Sequence, residues 1–307
     1  MTTTITITPP SDIKDLAAFL ENMNNDSSSH VGYCGEDREG IYQTLLDDFS
    51  DLDLSQSFAV AYDNGSIVGA IGLDIDKDRF SAEVWGPFIS DKIDDPYIVD
   101  KLLKTVISNS SIQLKHLSFF LNKENTRGKE FVLKHGGVER GHHSNLLAHR
   151  DELGEIKVEG IMEYSPSYEK TFSALHETEF PSTYYSTQKI LSRLTDMNRL
   201  FLLTNDDQHI KGYVYVEAQP QHGEGSIEYI AVSNNDRKQG IGTKLIKFAL
   251  AHLFTHKEIE EISLCVENEN ERALNLYRAA GFKIKHELIH FDITFKRCEE
   301  IVHANQK

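Results

Sequence analysis

The stretch IEYIAVSNNDRKQGIGTKLIKF, residues 227–248, decides how this chain is read. An apolar strand pattern over Ser226–Val232 runs into a polar turn, then Gly240 and Gly242. A helix pattern follows, with Leu245, Ile246, Ala249 and Leu253 on one face. Glycines just before a helix permit backbone conformations closed to other residues and let a ligand approach the main chain. The first N–H groups of such a helix have no intrahelical partner and sit at its positive end. Together they form a site for a diphosphate. Arg237 and Lys238 add positive charge in an acidic chain. Two other phosphate loops do not fit, because the stretch contains neither GxxxxGK nor GxGxxG.

A second stretch follows at close range: SLCVENENERALNLYRAAGF, residues 263–282. Here a short strand leads to Asn270, and a helix pattern ends at Gly281. The two stretches together resemble the GNAT superfamily of N-acetyltransferases. Arg237-x-x-Gly240-x-Gly242 matches that family's acetyl-CoA signature. Asn270-x-x-Ala273-x-x-Leu276-Tyr277-x-x-x-Gly281-Phe282 matches its second motif. The likeness is dense over about 226–282 and follows the family's element order over about 165–295.

The resemblance implies acetyl-CoA as cosubstrate, with no metal. Arg237, Lys238, Gln239, Gly240, Ile241, Gly242 and Thr243 would wrap the diphosphate, mostly through backbone N–H groups. Ile230, Ala231 and Val232 would offer a strand edge to the pantetheine arm and polarise the thioester carbonyl. Asn270 would bond the pantetheine or diphosphate region; as a helix N-cap it has a second role compatible with the first. Tyr277 would donate a proton to the departing thiolate, since a phenol with pKa near about 10 is protonated at pH 7. By spacing alone Tyr277 equally suits core packing. Glu228 is the candidate general base, placed by period two on the strand face of Ile230 and Val232; a solvated surface glutamate is the alternative. Glu224 and His222 are upstream options.

The implied activity is acetyl transfer to an amine of a small molecule or peptide, by direct attack in a ternary complex. A non-catalytic acyl-CoA sensor or scaffold is the alternative. Tandem enzymes resembling the mycothiol synthases share the architecture, but no substrate residue carries over from them.

Working outward, the same order of elements occurs twice. Leu121…Asn125…Gly136 and Val266…Asn270…Gly281 are the same strand–Asn–helix–Gly unit, with Asn and Gly 11 residues apart each time (136 − 125 = 281 − 270). The fold expected is α/β, a mixed and mostly antiparallel sheet flanked by helices, in two tandem GNAT-like domains over 1–150 and 151–307. His149–Lys157, charged and acidic, is the expected junction. In the first half, strands are predicted at Phe58–Tyr62, Ile67–Ile75, Ala82–Ile89 and Leu117–Leu121. Asp63-Asn64-Gly65 forms a hairpin turn, and helices lie near 41–49, 95–107 and 126–134. In the second half, helices are expected over 167–180, 184–194, 242–254 and 270–280. A hairpin is expected around Asn205-Asp206-Asp207, and Ile284–Ile293 is the closing strand.

The first half keeps the pattern without the motif. After Phe88 stand Asp91, Asp94, Asp95 and Pro96 in place of Arg-x-x-Gly-x-Gly, and Val132 is in register with Tyr277 (277 − 145 = 132). It reads as a degenerate partner. His142-His143 point to opposite strand faces and make poor co-ligands.

Bulk properties narrow the partners. A formal net charge of −16 argues against non-specific nucleic-acid binding, which needs a basic surface to displace counterions. No apolar run approaches the roughly 18 residues of a membrane span, and the N-terminus has no secretory pattern. Three cysteines without a CxxC pair indicate neither a disulfide framework nor a zinc site. A cytoplasmic protein is expected, with the acceptor amine unspecified and a homodimer left open.

Overall fold

A computed structural model describes residues 5–47, 49–93, 95, 97–152, 160–181, 183, 185–205 and 209–295, with His222 described by its backbone only. Asp94, Pro96, Tyr184, Asp206, Asp207 and residues 153–157 of the expected junction lie outside the described residues. The chain divides into two compact units, Met1–His143 with His286–Lys307, and Ser144–Lys285. Both divisions fall inside strands, β6 (Val138–His149) and β12 (Lys283–Thr294).

The first unit runs β1 (Thr6–Thr8), α1 (Ile13–Asn24), α2 (Arg38–Asp47), α3 (Leu54–Ser57), β2 (Phe58–Asp63), β3 (Ser66–Asp76), β4 (Ser81–Ile89), α4 (Ile98–Asn109), β5 (His116–Asn122), α5 (Thr126–Lys134) and the start of β6. Asp12 starts α1 by accepting the Lys14 and Asp15 N–H groups at 2.7 and 3.1 Å. The turn between β2 and β3 holds Asn64 and Gly65 at φ +48° and +81°, the left-handed pair a tight hairpin needs. The strands lie in the order β1-β2-β3-β4-β5-β12, antiparallel except for β4 and β5. That parallel pair is short, Ser81–Glu83 against His116–Ser118. Beyond Glu83, β4 has no register with β5, so the two strands part.

The second unit contains β7 (Ile161–Glu163), α6 (Glu169–Glu179), α7 (Thr187–Ser192), β8 (Asn198–Thr204), β9 (Ile210–Gln219), β10 (Glu224–Val232), α8 (Ile241–Leu253), β11 (Glu261–Glu267) and α9 (Glu271–Ala280). An antiparallel ladder β10-β9-β8-β7 has an apolar layer on each face. Alternation sorts the residues: Phe201, Leu203, Val214 and Val216 join the α8 side, while Leu200, Leu202, Tyr213 and Tyr215 join the α6 side. Leu245, Ile246, Ala249 and Leu253 are fully buried, as their spacing predicts. Helix α7 is shorter than expected: Ser186 caps its start by accepting the Lys189 N–H, and the helix stops at Arg193.

The repeated unit is real at its ends. Asn125 caps α5 by accepting the Gly128 N–H at 2.8 Å, and Asn270 caps α9 by accepting that of Ala273 at 3.1 Å. Gly136 and Gly281 follow those helices at φ +77° and +115°.

The closing strand differs from expectation. Leu288–Thr294 of β12 pair antiparallel with Asn122–His116 of β5, inside the first unit. Ile289, Phe291 and Ile293 enter the first unit's core. Alternation identifies a strand and its buried face, but not the ladder that receives it.

Candidate active site

In the second unit, β10 pairs with β9 on one side, and among the described residues no strand pairs with its other edge. Gly212 lets the two strands close up, since a Cβ there would stand 2.7 Å from the Ala231 carbonyl oxygen. The ladder slips between Ile227 and Tyr229, making Glu228 the extra residue of a β-bulge. The bulge resets the alternation, so Ile227, Ile230 and Val232 share the α8-side core while Tyr229 packs on the α6 side. Glu228 therefore does not share the face of Ile230 and Val232 that period two assigns it. Its carboxylate is exposed and accepts the Ser226 hydroxyl at 2.6 Å. Glu224 begins the strand, also exposed.

Beyond Val232 the chain turns tightly. The Ser233 N–H donates to the Lys211 carbonyl at 2.8 Å, and His209 lies 3.2 Å from the Asp236 carboxylate. Arg237 donates through Nε to the Val232 carbonyl at 3.1 Å and through Nη2 to the Glu179 carboxylate. The guanidinium thus fastens the turn to α6, with its charge already matched. Lys238 sits at φ +63° and Gly240 at φ +75°; both are exposed, with Gln239 between them. A Cβ on Gly240 would meet no atom within 4 Å, so glycine is required there by φ and not by crowding. Gly242 is the opposite case, buried where a Cβ would approach Leu276 of α9 to 2.9 Å.

Helix α8 opens on Gly240 with no side-chain cap. Ile241, Gly242 and Thr243 form its first turn, where main-chain donors are left to a ligand or water. On α9, Tyr277 packs against the same core, its ring 5.6 Å from that of Phe282 and edge-on to it. Burial pushes its phenol above the ordinary value of 10. Its hydroxyl makes no hydrogen bond to the described residues. His222 contributes only backbone to the description.

The sequence reading missed the polar network behind β10. The Tyr229 hydroxyl meets Thr183 at 2.6 Å and accepts the Tyr185 N–H at 3.1 Å. His176, fully buried, bonds the Tyr213 hydroxyl at 2.5 Å through Nδ1 and the Tyr185 carbonyl at 2.9 Å through Nε2. The carbonyl can only accept, so Nε2 carries the proton and Nδ1 receives Tyr213's. Glu217 is gripped by Arg193 at 2.8 and 2.5 Å and by the Tyr215 hydroxyl at 2.6 Å. No motif marks these residues, because their partners are 24 to 46 positions apart in the chain apart from the Tyr215–Glu217 and Tyr185–His176 contacts.

One cluster suited to a metal occurs among the described residues, in the first unit: His30, Glu36 and His286, with ligand atoms within 4.8 Å of one another. Its hydrogen-bond directions are settled without a metal. Asn122 Oδ1 accepts the Glu124 N–H at 2.9 Å, which turns Nδ2 toward His286 Nδ1 at 3.2 Å. His286 Nε2 then carries the proton and donates to Glu36 at 2.6 Å. A metal at Nε2 would leave a protonated Nδ1 facing an amide donor, so these residues do not fit one.

Residues 163–282 match the profile of the acetyltransferase (GNAT) family. A mycothiol acetyltransferase of Acidimicrobium ferrooxidans is 34% identical over 90 residues, 28% of this chain and 29% of that protein. The chain thus spans less than a third of that relative's length. A GCN5-related N-acetyltransferase from Sphaerobacter thermophilus has a similar fold at TM-score 0.67 and 17% identity, covering 94% of this chain and 95% of that one. A tandem GNAT protein from the clavulanic acid biosynthesis pathway is similar at TM-score 0.61 and 13% identity, covering 95% and 98%. At such identities the likeness is one of fold, and it extends over both units of the chain. Among the described residues no helix is long and apolar enough to cross a membrane.

Proposed function

We propose that the second GNAT unit transfers an acetyl group from acetyl-CoA to an amine, by direct attack in a ternary complex, and that the first unit is a degenerate partner. The observation that carries this is the free edge of β10 leading into an uncapped helix through the open, left-handed Gly240. An extended thioester arm can lie along Ile230, Ala231 and Val232 with its diphosphate on the first turn of α8. Lys238, Gln239 and Thr243 border that turn, and Asn270 stands at the start of the neighbouring helix. Arg237 serves by holding the turn in shape, since its guanidinium is engaged elsewhere.

A lysine-like amine, with pKa about 10.4, needs roughly 4.6 kcal/mol to lose its proton at pH 7, whereas an α-amine near 7.8 needs about 1. Glu228, lifted out of the ladder by the bulge, is the group to accept that proton. The amine nitrogen bonds to the thioester carbonyl carbon, the carbon–sulfur bond breaks, and the electron pair leaves on sulfur. Tyr277 supplies the thiolate's proton. Burial keeps the phenol protonated, as a general acid must be. β10 main-chain donors at the cleft would stabilise the oxygen charge that develops between these steps.

The test is a panel of amines assayed by thiol release from acetyl-CoA. Turnover that depends on Tyr277 supports the reading. Calorimetric binding of acetyl-CoA without any turnover would replace it with the sensor reading. Loss of both binding and turnover would refute it.

A further inference from the structure

The first unit has a groove of about 850 Å³ where β4 and β5 part, within the roughly 300–1,000 Å³ range of small-molecule sites. Its floor is apolar, made by Met23, Pro87, Ile89, Ile98, Val99 and Phe131. In chain order it corresponds to the cleft proposed in the second unit, between a strand end, the start of the following helix and the capped helix after the next strand. Its electrostatics are reversed.

At the start of α4 an internal carboxylate sits against the main chain. Asp95 accepts the Tyr97 N–H at 2.9 Å and holds Lys101 at 2.7 Å. The Lys101 ammonium and then that N–H keep the Asp95 carboxyl below its ordinary range, so it stays charged. The cations on the lining are largely spent on carboxylates: Arg127 pairs with Asp91 at 3.0 Å, and Lys134 with Asp100. Asp26, Glu124 and Glu130 also line the groove, and among the described residues no cation is within ion-pair distance of them. Six carboxylates therefore face three cations, of which Lys92 alone is outside such a pair among the described residues. A diphosphate would meet repulsion here. An apolar floor beneath a negative rim suits a ligand with an apolar body and a positive head.

We propose that this groove is a binding site for an organic cation, a primary amine carried on an aliphatic or aromatic body. The assignment is independent of catalysis in the second unit.

Calorimetry on the full chain at low salt tests it with three probes of one skeleton: 4-phenylbutylamine, 4-phenylbutanol and 4-phenylbutyrate. The amine should bind at least about tenfold more tightly than the alcohol, and the carboxylate most weakly. The Glu124→Gln/Glu130→Gln double variant changes only exposed side chains and should weaken amine binding by at least about threefold while leaving the alcohol's affinity. Val99→Trp, which fills the floor, should weaken all three. An amine that binds no better than the carboxylate overturns the proposal. So does amine binding left unchanged by the double variant, which would place it outside this groove; circular dichroism confirms that each variant is folded.

Discussion

Gly240 and Gly242 stand two positions apart and are glycine for different reasons, which separates their mutants. At Gly240 there is room for a side chain but φ is +75°, so Gly240→Val strains the backbone by about 1–2 kcal/mol and disturbs the turn. Acetyl-CoA affinity should fall at least about tenfold by calorimetry, with the melting temperature lowered only slightly. Gly242→Ala presses on Leu276 instead, and should show first in the melting temperature. Tyr277→Phe keeps the ring contact with Phe282 and removes only the hydroxyl that donates the proton. The expected result is a kcat lower by roughly 100-fold with acetyl-CoA binding retained. Because burial raises the phenol's pKa, the alkaline limb of the rate profile that depends on Tyr277 should lie above pH 10.

Helices and strands here are tied by side chains that serve as clamps. Arg150 reaches the end of α8, donating to the carbonyl of Phe254, the helix C-cap, and to those of His256 and Ile259 in the chain just beyond it. Arg150→Ala should cost about 2 kcal/mol in denaturant unfolding. The Arg193–Glu217–Tyr215 group joins α7's end to β9. Burial opposes the Glu217 charge, but the Arg193 and Tyr215 hydrogen bonds outweigh it and hold the carboxyl below 4.5. A depressed carboxyl stabilises the fold above its unfolded pKa and loses that contribution as pH falls through the folded value. Wild type should therefore lose stability below about pH 4.5 more steeply than Glu217→Gln, which is itself weaker by about 2 kcal/mol at neutral pH. Acid titration of the unfolding midpoint for both proteins checks the sign.

For the chain as a whole, the consequence is that its C-terminal strand stabilises the first unit. Phe291 is 2% exposed and lies in that unit's core beside β5. Phe291→Ala should cost about 3–5 kcal/mol. Hydrogen exchange should report the loss in β5 and its neighbouring strands of the first unit, although position 291 follows the second unit in sequence. Faster exchange confined to β8–β10 would contradict this assignment of the strand. The repeat itself was legible because its signals are local: an Asn cap, a short apolar face and a glycine left-handed in φ recur at 125–136 and 270–281. Where each unit ends was not legible, since the divisions run through continuous strands and no linker composition marks them.

The sequence by itself determined the elements and the nature of the helix-start turn, because φ preference, capping and periodicity act within a few residues. It placed Tyr277, Asn270 and the glycines on their elements for the same reason. Only tertiary structure decided that β12 pairs with β5, that Arg237 is held by Glu179, and that a bulge lifts Glu228 out of the expected face. Those outcomes depend on which distant surface a residue meets. Ladder pairing and ion pairing are contests among many compatible partners, and the contest is settled by packing rather than by neighbours in the chain.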